Sequence, residues 1–240
     1  MAKQKYQPKT KEELQALCKD ESIYLGDIDV SKIIDMNRLF QDSVRENFSG
    51  IETWNVSNVK YMDYMFDGAI FFNEDISKWD VSHVKDMSYM FYGAQSFNQP
   101  IGDWNVSKVT NMECMFEWAE SFNQSLNKWD VSNVKGMSFM FYGAKSFNQS
   151  IGNWNVSNVE NMDFMFCGAK AFNQLINDWN VSKVKDMCRM FDCATSFKQI
   201  LPKEWAEKAG YKNPVKGKNN VKVNLKDKSI KKKQSNDMEM

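Results

Sequence analysis

The sequence has one histidine among 240 residues, no cysteines in a C-x-x-C pair, and no apolar run approaching eighteen residues. Each absence removes a class of protein. Without such a run, no membrane-spanning helix is expected. The N-terminal stretch M-A-K-Q-K-Y-Q-P-K-T-K-E-E-L carries lysines with no apolar segment behind them. It does not read as a secretory signal peptide, so the sequence alone points to the cytoplasm. Cys18, Cys114, Cys167, Cys188 and Cys193 lack metal-ligand spacing and read as free thiols in a reducing compartment, with no metal expected. Cys167 and Cys193 stand at nearly equivalent places one repeat apart, which leaves a bond between them open. His83 occupies a slot held elsewhere by Asn58, Lys108, Asn133, Asn158 and Lys183, an exposed and variable position unsuited to catalysis. Motifs of the G-x-S-x-G, Walker, H-E-x-x-H and G-x-G-x-x-G kinds are missing too. No catalytic residue, cofactor or small-molecule substrate is expected. The carboxylates recur at equivalent places instead of converging, so the chain does not read as an enzyme.

Charge of one sign is scarce only locally. The formal net charge is zero, yet from Leu201 onward eleven lysines face five acids, leaving an acidic body and a basic tail. Such a tail suggests contact with nucleic acid or an anionic membrane. It lacks interleaved aromatics, however, and reads as a solvated, disordered segment over 213–240, with V-K-V-N-L able to add one edge strand.

What is present is a repeat. Trp54, Trp79, Trp104, Trp129, Trp154 and Trp179 are spaced by 25 residues, and Trp205 follows after 26. The phrase I-x-x-W-[ND]-V-S-x-V-x-x-M-x-x-M-F-x-x-A-x-x-F-N-Q travels with them. In a diverged first copy Leu25, Ile28, Val30, Ile33, Met36, Leu39 and Phe40 fill the apolar slots. The I-x-x-W-x-V segment alternates like a short strand. The V-x-x-M-x-x-M-F-x-x-A segment is spaced like one helical stripe, with Ser57, Ser82 and their equivalents at its N-cap. A unit of one strand and one short helix cannot enclose its own apolar face, whereas stacked units can. The expected fold is therefore an α/β repeat solenoid of about seven 25-residue repeats, each with one short parallel strand and one short helix. The Trp residues should form a column, and Asn73, Asn98, Asn123, Asn148 and Asn173 a ladder of amides. Residues 1–24 read as an N-terminal cap whose helix opens on the capping box Thr10–Glu13. Residues 25–201 read as the repeats, 202–212 as a C-terminal cap.

The phrase W-D-V-S-N-V-K-G-M-S-F-M-F-Y-G-A-K-S-F-N-Q-S-I-G-N-W at 129–154 resembles the BspA-type leucine-rich-repeat surface proteins of bacteria, in their mycoplasma-type branch of unknown function. I-x-x-W-x-V is similar to the leucine-rich-repeat strand, making the expected fold leucine-rich-repeat-like. The resemblance implies a bacterial cell-surface location and an adhesin-like role.

If Trp and Val point inward, their neighbours point out. Lys78, Asp80, Asp103, Asn105, Lys128, Asp130, Asn153, Asn155, Asp178 and Asn180 then form a polar stripe on a concave sheet face. It reads either as a solvated face or as a recognition surface for a protein or glycan. A second candidate surface holds Tyr64, Tyr89, Phe139, Phe164, Tyr92 and Tyr142 on the helical side. The functional expectation is a monomeric, non-enzymatic binding module. It is either adhesin-like at the cell surface or an intracellular protein-interaction scaffold.

Overall fold

The structure is a computed structural model that describes residues 5–214. The expectations for residues 215–240, including the V-K-V-N-L strand, lie outside the described residues. The chain winds into a stack of coils, one per repeat, whose register is set by parallel bridges. Asp35, Tyr61, Asp86, Asn111, Gly136, Asn161 and Asp186 are linked in series, each bridged to the equivalent residue of the adjoining coil.

The expected strand and helix of each repeat do not form. Among the described residues, β-pairing is confined to isolated bridges, and the α-helices are α1 (Lys11–Lys19) and α2 (Lys203–Lys208), one near each end. The α/β, leucine-rich-repeat-like architecture is therefore incorrect for this chain. The third coil shows why. Its inward residues donate backbone N–H bonds to the inward residue three before: Trp79 to Ile76 (3.1 Å), Val84 to Val81 (2.9 Å), Met90 to Met87 (3.3 Å), Ala94 to Phe91 and Phe97 to Ala94 (both 3.1 Å). A spacing of three suits such turns, while a helix needs bonds four apart at every residue. The other donors leave the coil. The N–H groups of Met87, Tyr89, Phe91 and Gly93 bond the carbonyls of Asn111, Glu113, Met115 and Glu117 in the next coil (2.7–3.1 Å). With alternate donors committed to the neighbour, no helix can close.

The serines expected to cap helices work differently. Ser107 donates both its N–H (3.2 Å) and its hydroxyl (2.7 Å) to Asn105 Oδ1, and Ser82 N–H donates to Asp80 Oδ1 (3.0 Å). The Asn/Asp after Trp is the acceptor of an Asx turn, so its side chain is limited to those with a short carbonyl or carboxylate arm.

Every inward residue enters one continuous core running from Leu14 to Ala209. Indoles stack coil on coil, Trp129 on Trp154 and Trp154 on Trp179 with centroids 6.4 Å apart and planes within 5°. The Nε1 of Trp54, Trp79, Trp104, Trp129, Trp154 and Trp179 donates to a carbonyl of the preceding coil, Trp129 to Ile101 at 3.1 Å, while that of Trp205 is buried without a partner. Beside them Phe66, Phe91, Phe116, Phe141 and Phe166 form a second column at 5.6–5.7 Å. The amide ladder is present and uses Oδ1. Asn123 Oδ1 accepts Asn148 N–H (3.0 Å) and Gln149 Nε2 (2.9 Å).

The Thr10 hydroxyl accepts Glu13 N–H at the start of α1, and Glu13 Oε2 accepts from Lys9 N–H. Leu14 and Cys18 bury against the first coil. Arg45, 4% exposed, locks the helix down by donating to the carbonyls of Cys18, Asp20, Ile23 and Asn47. At the far end α2 lays Trp205 on Trp179 (6.3 Å), and Lys208 Nζ donates to the Val184 carbonyl. All five cysteines are free, so Cys167 and Cys193 are not bonded.

Candidate binding faces

All ten residues of the expected polar stripe are exposed. They lie on a face of turns and not on a sheet, and most are already engaged. Asp80, Asn105, Asp130, Asn155 and Asn180 each accept the N–H of the serine two residues on (3.0–3.2 Å). Those serine bonds hold the Asp80 and Asp130 carboxyls below the usual range. Lys128 is paired with Asp103 (2.7 Å), which it also holds low. Asn153 Nδ2 donates to the Asn127 carbonyl (2.6 Å), and Asp178 accepts from Asn177 Nδ2 (3.3 Å). Lys78 makes no ion pair among the described residues. The stripe is thus half turn machinery. Replacing Asp130 by Ala should lower stability by about 1 kcal/mol, the loss of one turn-closing acceptor. Asp130→Asn should be neutral. Urea unfolding checks both, and equal losses would mean that the negative charge, not the acceptor oxygen, matters.

The opposite kind of chemistry gathers around the bridges. In each coil the residue just before the second Met (Leu39 in the first coil) has positive φ, between 51° and 57°: Arg38, Tyr64, Tyr89, Cys114, Phe139, Phe164 and Arg189. A second positive-φ site follows four residues later, and there Gly68, Gly93, Gly143 and Gly168 stand in four coils. This is the third position of a turn, which glycine fills without strain. The first site never holds glycine, although a bulky residue there costs about 1–2 kcal/mol.

The side chains at that first site line up. The Tyr64 and Tyr89 rings stack at 4.3 Å and Phe139 on Phe164 at 4.8 Å. Arginines close the column at each end, Arg38 lying 4.1 Å from the Tyr64 ring centre and Arg189 5.8 Å from that of Phe164. The four rings are half-buried. Cys114 interrupts the column, and in the same coil Trp118 takes the glycine site instead. Its indole is 38% exposed, edge-on to Tyr142 (5.1 Å) and lying over Gly143, where an added Cβ would meet the ring at 2.5 Å.

Acids flank these rings. The segments 61–68, 86–93, 111–118, 136–143 and 161–168 hold Asp63, Asp67, Asp86, Glu113, Glu117 and Asp163 and no basic residue. None of the six is in an ion pair among the described residues. Burial raises the pKa of Asp63, Asp67, Glu113 and Glu117, only partly offset where amides of Asn37 and Gln41 reach Asp63 (3.2 Å) and Asp67 (2.7 Å). Asp163 Oδ1 is buried without a hydrogen-bond partner. So is the hydroxyl of Ser138, a residue 6% exposed that sits between Glu113 and Asp163 in the same column. The rings were marked in the sequence as a second surface, but the carboxylates and Trp118 were not. Trp118 had a visible signal, since it breaks the M-F-x-G-A phrase at its glycine.

These features define a repeat protein whose coils share one interior and differ on an outer face of rings and acids. The chain belongs to the family described as Mycoplasma protein of unknown function, DUF285, whose model matches residues 12–129 and again residues 119–226. No curated protein and no solved structure matches it significantly.

Proposed function

We propose that this chain is a non-enzymatic binding module that recognises a protein partner through the ring-and-carboxylate face. One observation carries the reading: large side chains are kept at a positive-φ site where glycine would be unstrained. Stacking returns about 0.5–1.5 kcal/mol per ring pair, and only Tyr64–Tyr89 and Phe139–Phe164 stack within this column. Stability alone is thus a weak reason for the choice. The same columns vary from coil to coil, as a surface that reads a partner must, while the core and the amide ladder repeat. The polar stripe is the lesser candidate, half of its residues being acceptors in their own turns. The likeness to BspA-type surface proteins supports a partner met outside the cell in an adhesin-like role.

The test compares two variants as bait in extracts of the source cells. In the first, Tyr64, Tyr89, Phe139 and Phe164 become Ser; in the second, Lys78, Asp103 and Lys128 are charge-reversed. The ring variant should lose a partner that the stripe variant and the parent both hold. Retention by the ring variant would remove this face from consideration. Fractionation of the same cells tests the adhesin-like role: recovery in the cytosol alone would replace it with an intracellular scaffold.

A further inference from the structure

The ring-and-carboxylate face also indicates what it accepts. Resting on the proposal that this face is the binding surface, we infer that its occupant is an arginine-rich, extended segment of a partner protein, its guanidinium groups pairing with the acids and packing against the rings beside the Cys114 gap, Tyr89 and Phe139. The chain itself supplies the precedent for the ring contact at both ends of the column. Arg38 lies 4.1 Å from the Tyr64 ring centre and Arg189 5.8 Å from that of Phe164. A guanidinium is planar and weakly hydrated, and it satisfies a ring face and a carboxylate at once, which a lysine ammonium does less well.

Between those two arginines the ring-bearing segments 61–68, 86–93, 111–118, 136–143 and 161–168 hold no Lys or Arg. The six acids of the five intervening coils have no ion-pair partner among the described residues. Asp163 Oδ1, buried without a hydrogen-bond partner, adds an acceptor with nothing to accept. Glu113 and Glu117 occupy the coil where Cys114 interrupts the rings. Half-burial makes leaving such acids unpaired expensive and pairing them rewarding.

The test uses a synthetic peptide with arginine at four alternate positions and serine between, alongside versions carrying lysine or neutral citrulline. Titration calorimetry at low and moderate salt measures binding to the full chain. The arginine peptide should bind, the lysine peptide at least several-fold more weakly, and the citrulline peptide not detectably. The variant Glu113→Gln, Glu117→Gln, Asp163→Asn should lose at least tenfold in affinity while melting at or above the parent's temperature. Asp103→Lys with Lys128→Glu should bind as the parent does. Equal affinity for arginine and lysine peptides, or unchanged binding by the triple variant, would reduce the effect to general attraction by an acidic body and overturn the inference. Should no peptide bind while the ring variant still loses its cellular partner, the occupant is wrong and the face stands. If the ring variant keeps that partner, the face itself is wrong.

Discussion

Trp129→Ala should destabilise the protein by about 3–5 kcal/mol, the usual range for removing a buried aromatic, and should uncouple the two halves of the stack. Trp129 is 3% exposed and lies at the centre of the indole column. It stacks on Trp154 at 6.4 Å, contacts Phe116 at 6.2 Å and donates to the Ile101 carbonyl of the coil before. The side chain therefore ties its own coil to both neighbours. In a linear stack each unit is stabilised mainly by the units beside it, so weakening one central junction should divide a single unfolding transition into two. Urea titration followed by tryptophan fluorescence, with hydrogen exchange to locate the loss, would show this. Trp129→Phe keeps a ring and gives up the indole donor, and its cost should be clearly smaller. A Trp129→Ala protein that unfolds like its parent would mean the column is not the main support of the stack.

Asn123→Ala should come next, at about 2 kcal/mol, because one atom serves two hydrogen bonds of the ordinary 0.5–1.5 kcal/mol kind. Asn123 Oδ1 accepts the Asn148 N–H at 3.0 Å and Gln149 Nε2 at 2.9 Å, both in the following coil. Without it the next coil has a backbone donor and an amide with no protein acceptor. Asn123→Asp retains an acceptor in the same place and should cost distinctly less. Equal losses for the two substitutions, measured in urea at neutral pH, would show that the ladder depends on the amide nitrogen and not on Oδ1.

The sequence made the interior legible because packing writes itself into side-chain type. The period, the Trp column, the amide ladder and the capping box at Thr10 all follow from letters that recur or sit at fixed offsets. It misled about local structure for a physical reason. A step of three between Val84, Met87 and Met90 satisfies a helix stripe and a run of turns alike, and the backbone bonds that decide between them run to another coil and have no side-chain signature. Ser107 beside Asn105 likewise looks like a helix cap until the direction of donation is seen. Arg45 carries no sequence signal of its role, yet it is buried against carbonyls more than twenty residues earlier in the chain. The outer rings could be named in advance. That their neighbouring acids have no ion-pair partner among the described residues is a three-dimensional fact, visible only once the coils are laid on one another.

The coil-to-coil bonding has a consequence for heredity. Each junction joins a carbonyl row to an N–H row at one constant register, and the indole and amide contacts repeat at that register. An in-frame duplication or loss of a single unit would therefore rejoin matching surfaces, wherever in the array the recombination fell. The number of coils is thus a quantity the gene can change in one event without redesigning a core, and with it the length and lettering of the outer face.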